Sequence, residues 1–563
     1  MKVIIVGGVA GGASAAARIR RLDENAQITM FERSGFVSYA NCGLPYYIGD
    51  IITDPEELTL QTPESFQARF NINVKVRHEV LGFDPESKSV TVKNLVTGEI
   101  FEESYDKLIL SPGAKPTVPN MSGVEHDKIF TLRTVEDTFK IKQFISDHNI
   151  KSAVIAGGGY IGLEMAENLL NNGIDVTLIQ RPNQVMAPLD YDMACQIHGL
   201  LREKGIKLKF GSSVSGFENS GDKIKTLLKG ESPLTSDMVI LAIGVTPDTK
   251  LAENAGLELG IKKSIIVNDK METSAKDVYA VGDAVQVKHF VTGEDSLISL
   301  AGPANKQGRI AADNICGLDS HYEGSQGSSI IKIFDMTAAT TGINEKTAKS
   351  LNIDYDKVVL FPLSHAGYYP DAISMAMKVI YEKATLRLLG AQIVGYDGVD
   401  KRIDVLATAI RAGMSADKLK DLDLAYAPPY SSAKDPVNMA GFMIENISTG
   451  KLNHFHWEDI DALPRDNSVT LLDVRTPYEY NSKHIDGFMN IQVDELRSHI
   501  EQLPKEKPVY VMCQSGLRSY IACRILSQRG FECYNLSGGF GFLNSIKEEQ
   551  VVASKSYPCG LLR

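Results

Sequence analysis

Two short, similar units limit what this chain can fold into. Residues 3–6 are a β-branched apolar run, Val3-Ile4-Ile5-Val6, of the kind that forms a strand buried on both faces. Gly7-Gly8-Val9-Ala10-Gly11-Gly12 follows at once, and then a small-residue helix over 13–21. The spacing is close to G-x-G-x-x-G, with the middle glycine displaced: Val9 stands in its place and Gly8 lies beside it. Gly7 suits the tight turn, and Gly11 and Gly12 allow close backbone approach. The free N–H groups and the dipole of the helix start then meet a pyrophosphate. A second strand over 27–31 ends in Glu32, with Arg33 beside it, where an acid binds a ribose hydroxyl pair. The unit recurs as a strand over 152–156, Gly157-Gly158-Gly159-Tyr160-Ile161-Gly162, a helix over 163–171 and a strand over 175–179. Two such units predict an α/β protein holding two dinucleotides, a tightly held flavin and a nicotinamide donor. The second unit closes on Gln180-Arg181 instead of the acid that favours NADH. Arg181 suits a 2′-phosphate or is an exposed loop residue before Pro182, so the choice between NADH and NADPH stays open.

Shortly after the first unit comes Asn41-Cys42-Gly43-Leu44-Pro45-Tyr46-Tyr47, with one cysteine and no nearby second. A buried structural thiol is one reading. A thiol beside a flavin is the other, and it implies that the second sulfur arrives with the substrate. At 563 residues the chain exceeds a single core and should hold three or four domains. The net charge of −11 argues against nucleic-acid binding, and no apolar run approaches a membrane span. The residues before Gly7 are too few for a signal-peptide core. Seven scattered cysteines without metal-ligand spacing fit reduced thiols in the cytoplasm and no metal site.

After Gly450 the pattern restarts. A strand over 470–475 is followed by one over 509–512, which runs straight into Cys513-Gln514-Ser515-Gly516-Leu517-Arg518-Ser519 and a helix from about 520. A thiol at a strand's end, ringed by backbone N–H groups and a helix N-terminus, sits in an electropositive cradle that lowers its pKa and stabilises a persulfide. Arg518 adds a cation for an anionic sulfur donor. Cys523 and Cys533 read as core or edge thiols, and Cys195, Cys316 and Cys559 carry no activating pattern.

With these motifs, residues 1–445 resemble the two-dinucleotide flavoprotein disulfide reductase family. Thr273-Ser274-Ala275-Lys276-Asp277-Val278-Tyr279-Ala280-Val281-Gly282-Asp283 looks like its second flavin motif, in which Asp283 holds the ribityl chain. Leu108-Ile109-Leu110-Ser111-Pro112-Gly113-Ala114 and Leu241-Ala242-Ile243-Gly244-Val245-Thr246-Pro247 look like its crossover strands. The lone Cys42 in Ser38-Tyr39-Ala40-Asn41-Cys42-Gly43-Leu44-Pro45-Tyr46 is similar to the branch that reduces coenzyme A disulfide and persulfide. That resemblance implies substrate contacts at Ser14, Arg18, Arg21, Ser38, Asn41, Cys42, Arg69, Asn305, Arg309 and Lys434, with Arg18 and Arg21 on one helix face. It also implies that Tyr368 and Tyr426 reach across a homodimer to the active site, Tyr426 meeting the cofactor as well. His365 is left structural or exposed. Residues 455–550 resemble rhodanese, with Leu536-Ser537-Gly538-Gly539 as its late glycine turn and Cys513 and Arg518 as its active-site pair.

The expected architecture is therefore two Rossmann-like domains, FAD over 1–115 and 246–325 and NAD(P)H over 116–245, then an α+β dimerisation domain over 326–445. A linker over 446–454, an α/β rhodanese domain over 455–550 and a tail over 551–563 follow. The flavin cradle comprises Gly7, Gly8, Val9, Ala10, Gly11, Gly12, Glu32, Arg33, Gly113, Gly282 and Asp283. The nicotinamide cradle comprises Gly157, Gly159, Tyr160, Ile161, Gly162, Gln180, Arg181 and Gly244. The activity this implies is NAD(P)H-dependent reduction of coenzyme A disulfide, coenzyme A persulfide or polysulfide. Three alternatives stand beside it: an NADH oxidase or peroxidase cycling Cys42 through a sulfenic acid, a sulfurtransferase with a silent reductase half, and a flavin-binding redox sensor.

Overall fold

The structure is a computed structural model that describes residues 1–555. It divides into two compact units, Met1–Met186 with Lys204–Gly327, and 187–203 with 328 onward.

The first unit holds both dinucleotide folds. One parallel sheet runs in the order Val278–Ala280, Lys107–Leu110, Lys2–Val6, Gln27–Glu32, Asn73–Val76. Its central strand is apolar because it is covered on both faces: Val3, Ile4 and Ile5 are fully buried. The other parallel sheet runs Lys207–Phe210, Asp175–Gln180, Ser152–Ala156, Met238–Leu241, Ile129–Phe130. The crossover segments pair with each other, Ala114–Pro116 antiparallel to Val245–Pro247. Each glycine-rich helix starts three residues earlier than the sequence suggests, at Ala10–Leu22 and Tyr160–Asn171, so its last glycines form the first helical turn.

In the second unit an antiparallel sheet runs Ser329–Ile333, Met336–Gly342, Leu388–Gly395, Ala376–Glu382, Tyr355–Leu360, with the helices Val399–Arg411 and Pro436–Ser448. A second, wholly parallel sheet runs Asn453–Phe455, Cys533–Leu536, Val509–Met512, Thr470–Asp473, Met489–Asn490. The two sheets meet at an edge. Among the described residues Tyr355–Leu360 pairs only with Ala376–Glu382 along its length, and on its other side Val359 N–H donates to Ser537 Oγ at 3.0 Å. Phe361 and Phe542 pack edge to face beside that bond, with ring centroids 5.7 Å apart.

Three expected boundaries are corrected. The linker over 446–454 is not a free tether: helix Pro436–Ser448 fills its start, and the strand Asn453–Phe455 is already the edge of the parallel sheet. A three-residue strand has too few alternations to show a period in the sequence. Residues 187–203 group with the second unit, although they fall within the range expected for the nicotinamide domain. Lys378 explains why: its buried ammonium reaches Asp192 at 2.5 and 2.7 Å, Glu345 at 2.7 Å and Asp190 at 3.3 Å. Finally, helix Gly539–Lys555 carries regular structure past residue 550, where a tail was expected; Cys559 lies outside the described residues. Among the described residues no helix is long and apolar enough to cross a membrane.

Candidate active site

The first glycine-rich turn is built for an anion. Gly7 has φ +95°, and at Gly12 a Cβ would overlap the Gly7 carbonyl oxygen. No side chain caps the helix that begins at Ala10, so its first N–H groups are open to an incoming acceptor. Glu32 is buried and accepts the Gly8 N–H at 2.9 Å and the Ser34 N–H at 2.9 Å, so the acid at the strand's end is fixed beside the turn. Arg33 points elsewhere, pairing with Asp248 at 2.9 Å. Gly113 and Gly282 both have positive φ, +69° and +85°. The clearances and donors fit the pyrophosphate and ribose of a dinucleotide.

Cys42 lies in a 3₁₀ turn, Asn41–Gly43, which leads into the short helix Leu44–Ile48. It is a free, exposed thiol; Cys316 is the only other cysteine of this unit and sits beyond the far end of helix Ala301–Ile315. Arg133 organises the surroundings and was not visible in the sequence. Its guanidinium donates to Asp283 at 2.9 Å, and the Asn41 amide accepts from it at 3.0 Å while donating to the Arg133 carbonyl at 3.1 Å. The turn holding Cys42 and the second flavin motif are thus bolted to one cation. Partial desolvation pushes the Cys42 thiol up, the Glu164 carboxylate pushes it further, and Arg133 pulls it back. Glu164, on the first helix of the second dinucleotide fold, is itself lifted to about 7 by burial, against a hydrogen bond from Tyr46. The helix after Cys42 packs on that same helix closely enough that a Cβ on Gly49 would overlap the Asn168 amide.

The second cradle repeats the first. Gly157 has φ +116°, Gly159 has open space where a Cβ would be, and no side chain caps the helix. Tyr160 and Ile161 begin that helix, with Gly162 packed against the Gly157 carbonyl. Gly244 has φ +115°. Gln180 is half-buried and Arg181 exposed.

The residues expected to bind substrate fall into two groups. Ser14 donates to Asn305 at 2.8 Å, across the close contact of helices Ala10–Leu22 and Ala301–Ile315. Arg18 lies on the same seam but is pinned to Asp313 at 2.6 Å, which uses one of its donors. Arg21, Arg69 and Arg309 are exposed. Ser38 has φ +48° and donates its N–H to the Gly8 carbonyl at 2.8 Å, so it sits at the first cradle. The second group is in the other unit. Tyr368 and Tyr426 are exposed and joined through their hydroxyls at 2.7 Å, and Lys434 is exposed nearby in sequence. Their loops hang from buried Arg402, which donates to the Ser364 carbonyl at 2.8 Å, the Tyr430 carbonyl at 3.3 Å, Ser431 Oγ at 3.1 Å and Asp435 at 3.2 Å. His365 is buried and structural, bonded to the Pro370 carbonyl at 2.9 Å.

Cys513 follows the strand Val509–Met512 and is fully buried. Its Sγ accepts from the Gly516 N–H and from Ser519 Oγ, both at 3.2 Å. The late glycine turn is a structural wedge: Phe540 N–H donates to the Cys513 carbonyl at 2.7 Å, and a Cβ at Gly539 would crowd Cys513 O, Ser515 N and Gly516 N, each at 2.7 Å. Arg518 is not a lone cation. Glu479 takes it in a fork, at 2.7 and 2.6 Å, and Arg518 holds the Glu479 carboxyl down at about 2. Cys523 and Cys533 are buried core thiols.

Two nucleotide cradles, a lone thiol between them and a buried thiol in an N–H loop define a redox sulfur protein. The model of pyridine nucleotide-disulphide oxidoreductases matches residues 1–308, the dimerisation domain of that family matches 328–436, and the rhodanese-like domain matches 456–541. The chain belongs to the pyridine nucleotide-disulphide oxidoreductase family. It is 40% identical over 447 residues to the coenzyme A disulfide reductase of Staphylococcus haemolyticus, covering 79% of this chain and 100% of that one. The reduced CoADR-RHD of Bacillus anthracis superposes with a TM-score of 0.95 at 48% identity, over 97% of this chain and 98% of the other. The NAD-dependent persulfide reductase of A. fulgidus superposes with a TM-score of 0.91 at 37% identity, over 96% of this chain and all of the other.

Proposed function

We propose that the protein is a cytoplasmic, homodimeric, FAD- and NAD(P)H-dependent reductase of coenzyme A disulfide or persulfide, with a rhodanese domain that handles sulfane sulfur. One observation carries the reading: Cys42 is an exposed free thiol, unpaired with any cysteine among the described residues, in reach of charges from both dinucleotide folds, Asp283 and Glu164. FAD, when bound in the first cradle, supplies the two-electron relay from nicotinamide to sulfur. Gly7 to Gly12 and Glu32 would hold its pyrophosphate and ribose, and Asp283, fixed by Arg133, would accept from the hydroxyls of its chain. The second cradle holds the nicotinamide donor.

The sulfur steps belong to the chain's own residues. The Cys42 thiolate attacks the substrate's disulfide or persulfide bond, forming a Cys42–S–S–coenzyme A bond and expelling the other half as thiolate or hydrosulfide. Two electrons and a proton from NAD(P)H then release coenzyme A thiol and restore the Cys42 thiolate. Tyr368 and Tyr426 of the partner subunit give the leaving sulfur its proton. Ser14, Asn305 and the exposed Arg21, Arg69 and Arg309 bind the phosphates of coenzyme A, with Lys434. At Cys513, the thiolate attacks the outer, sulfane sulfur of a donor, and the donor's sulfur bond breaks with the rest leaving as an anion such as sulfite or a thiolate. The sulfur stays on Cys513 as a persulfide against the Gly516 N–H. A coenzyme A thiolate takes that sulfur in turn, giving coenzyme A persulfide for Cys42.

The test is anaerobic NADH and NADPH oxidation against coenzyme A disulfide, coenzyme A persulfide and polysulfide, with sulfide measured. Cys42→Ser should lose turnover by several orders of magnitude while keeping FAD, and Cys513→Ala should lose only sulfur transfer from a donor. Undiminished reduction by the Cys42 variant, or faster NAD(P)H oxidation in a matched run with oxygen as the sole acceptor, refutes the proposal.

A further inference from the structure

The second unit holds two convergences of ligating side chains that the sulfur chemistry does not use. Asp190, Asp192 and Glu345 form the first, but the Lys378 ammonium lies among them and is itself their cation. The second, Asp356, His454 and His456, has no such occupant. Asp356 lies on the edge strand Tyr355–Leu360. His454 is in the strand Asn453–Phe455 and His456 continues it in extended backbone, so the two imidazoles project to the same side. Both Nε2 atoms face one oxygen: His454 Nε2 is 3.1 Å and His456 Nε2 3.5 Å from Asp356 Oδ1.

Metal bonds of about 2.0–2.1 Å in a tetrahedral site place neighbouring ligand atoms about 3.3–3.4 Å apart, and both separations bracket that edge. The carboxylate is oriented from behind: Tyr381 donates its hydroxyl to Oδ2 at 3.3 Å, and the Lys357 backbone N–H donates to Oδ1 at 2.8 Å, on the oxygen the imidazoles also face. His454 Nδ1 is buried without a partner and Nε2 donates to Asp356 here, so an ion binds through Nε2 by displacing that proton, with Nδ1 left to carry the ring's other one. The side chains are mostly sheltered, 6% exposed for His454 and 19% for His456 and Asp356. The neighbouring Lys357 does not present an unmatched charge, since Glu345 at 2.8 Å and Glu458 at 2.6 Å take its ammonium. We infer that Asp356, His454 and His456 bind a divalent transition-metal ion of the zinc class, clamping the edge strand of the rhodanese sheet to the edge strand of the dimerisation sheet. Two imidazoles and one carboxylate are a donor set for such ions, with a fourth position left for water.

The probe is Co²⁺, followed by Zn²⁺, added to chelator-treated, FAD-loaded full-length protein. One Co²⁺ per chain is expected, with ligand-field absorption and no thiolate charge-transfer band, displaced by Zn²⁺. Zn²⁺ should raise the melting temperature of the wild type, and chelator should reverse the rise. His454→Gln with His456→Gln should abolish binding with FAD content and reductase turnover retained, and Tyr381→Phe should weaken it about tenfold. No stoichiometric Co²⁺ in the wild type, binding retained in the double variant, or a thiolate band overturns the inference. If the double variant does not fold, the wild-type melting shift decides, and its absence overturns the site.

Discussion

Gly308 offers a test in which helix propensity and packing predict opposite signs. It lies inside helix Ala301–Ile315, where replacing glycine with alanine ordinarily stabilises by about 1 kcal/mol. Here a Cβ would approach the Gly11 carbonyl oxygen more closely than the 3.0 Å that real Cβ atoms essentially never breach, and would lie 3.1 Å from Gly11 C and 3.2 Å from Ala15 N. These are backbone atoms of helix Ala10–Leu22, so relief requires the two helices to part, by roughly 1 Å, at an overpacking cost of about 1–3 kcal/mol. Gly11 is in the first turn of that helix, whose N–H groups face the pyrophosphate in our reading. Strain delivered there should appear as FAD loss: about 1.4 kcal/mol is tenfold in affinity, so Gly308→Ala should bind FAD about tenfold more weakly or worse. The assay is the flavin-to-protein absorbance ratio after dialysis, together with the melting temperature. Gly302→Ala in the same helix is the control, because nothing lies within 4 Å of its Cβ position. It should keep FAD and gain a few tenths to about 1 kcal/mol. A Gly308→Ala protein that retains FAD and melts at or above the wild type refutes the packing argument.

Glu164, lifted from 4.5 to about 7, binds a proton better folded than unfolded, so its contribution to stability is lost as pH rises through 4.5 to 7. Allowing for partial exposure, Glu164→Gln should be more stable than wild type by about 1–3 kcal/mol at pH 8, with the gain shrinking toward pH 5; urea unfolding at the two pH values shows it, and a pH-independent difference contradicts it. Arg402→Ala strips a buried carboxylate of its partner and frees both tyrosine loops; a loss of about 3–5 kcal/mol and a fall in kcat are expected, read by melting and turnover. Glu479→Gln removes one arm of the Arg518 fork, and a changed KM for an anionic sulfur donor with reductase turnover untouched is the expected outcome.

What could be read from the sequence was what is local. Gly7 to Gly12, Gly157 to Gly162 and the run from Val509 to Ser519 each place strand, turn and helix within a dozen residues, so their spacing specifies their geometry. Glu32 was legible for the same reason. Arg133 was not: its partners Asn41 and Asp283 lie far along the chain on either side, and nothing near Leu132-Arg133-Thr134 marks it. Arg402 and Lys378 were hidden likewise, each a single basic residue whose role depends on acids and carbonyls brought in by other elements. Arg18 and Arg518 were expected as cations for a substrate, and their partners Asp313 and Glu479 were not legible because they join them only after folding.

The bond from Val359 to Ser537 bears on what the rhodanese-like domain does for the rest of its own unit. An outermost strand with unsatisfied N–H and C=O groups is a template on which another copy can add itself. Here the glycine turn of the rhodanese domain lies along that strand and takes one of its donors. The appended domain thus shields a sheet that is not its own. A chain ending near residue 450 would regain the bare strand, with the charges of Asp356 and Lys357 as its remaining guard against pairing through it. The fused domain is then a cover whose removal exposes what lies beneath it.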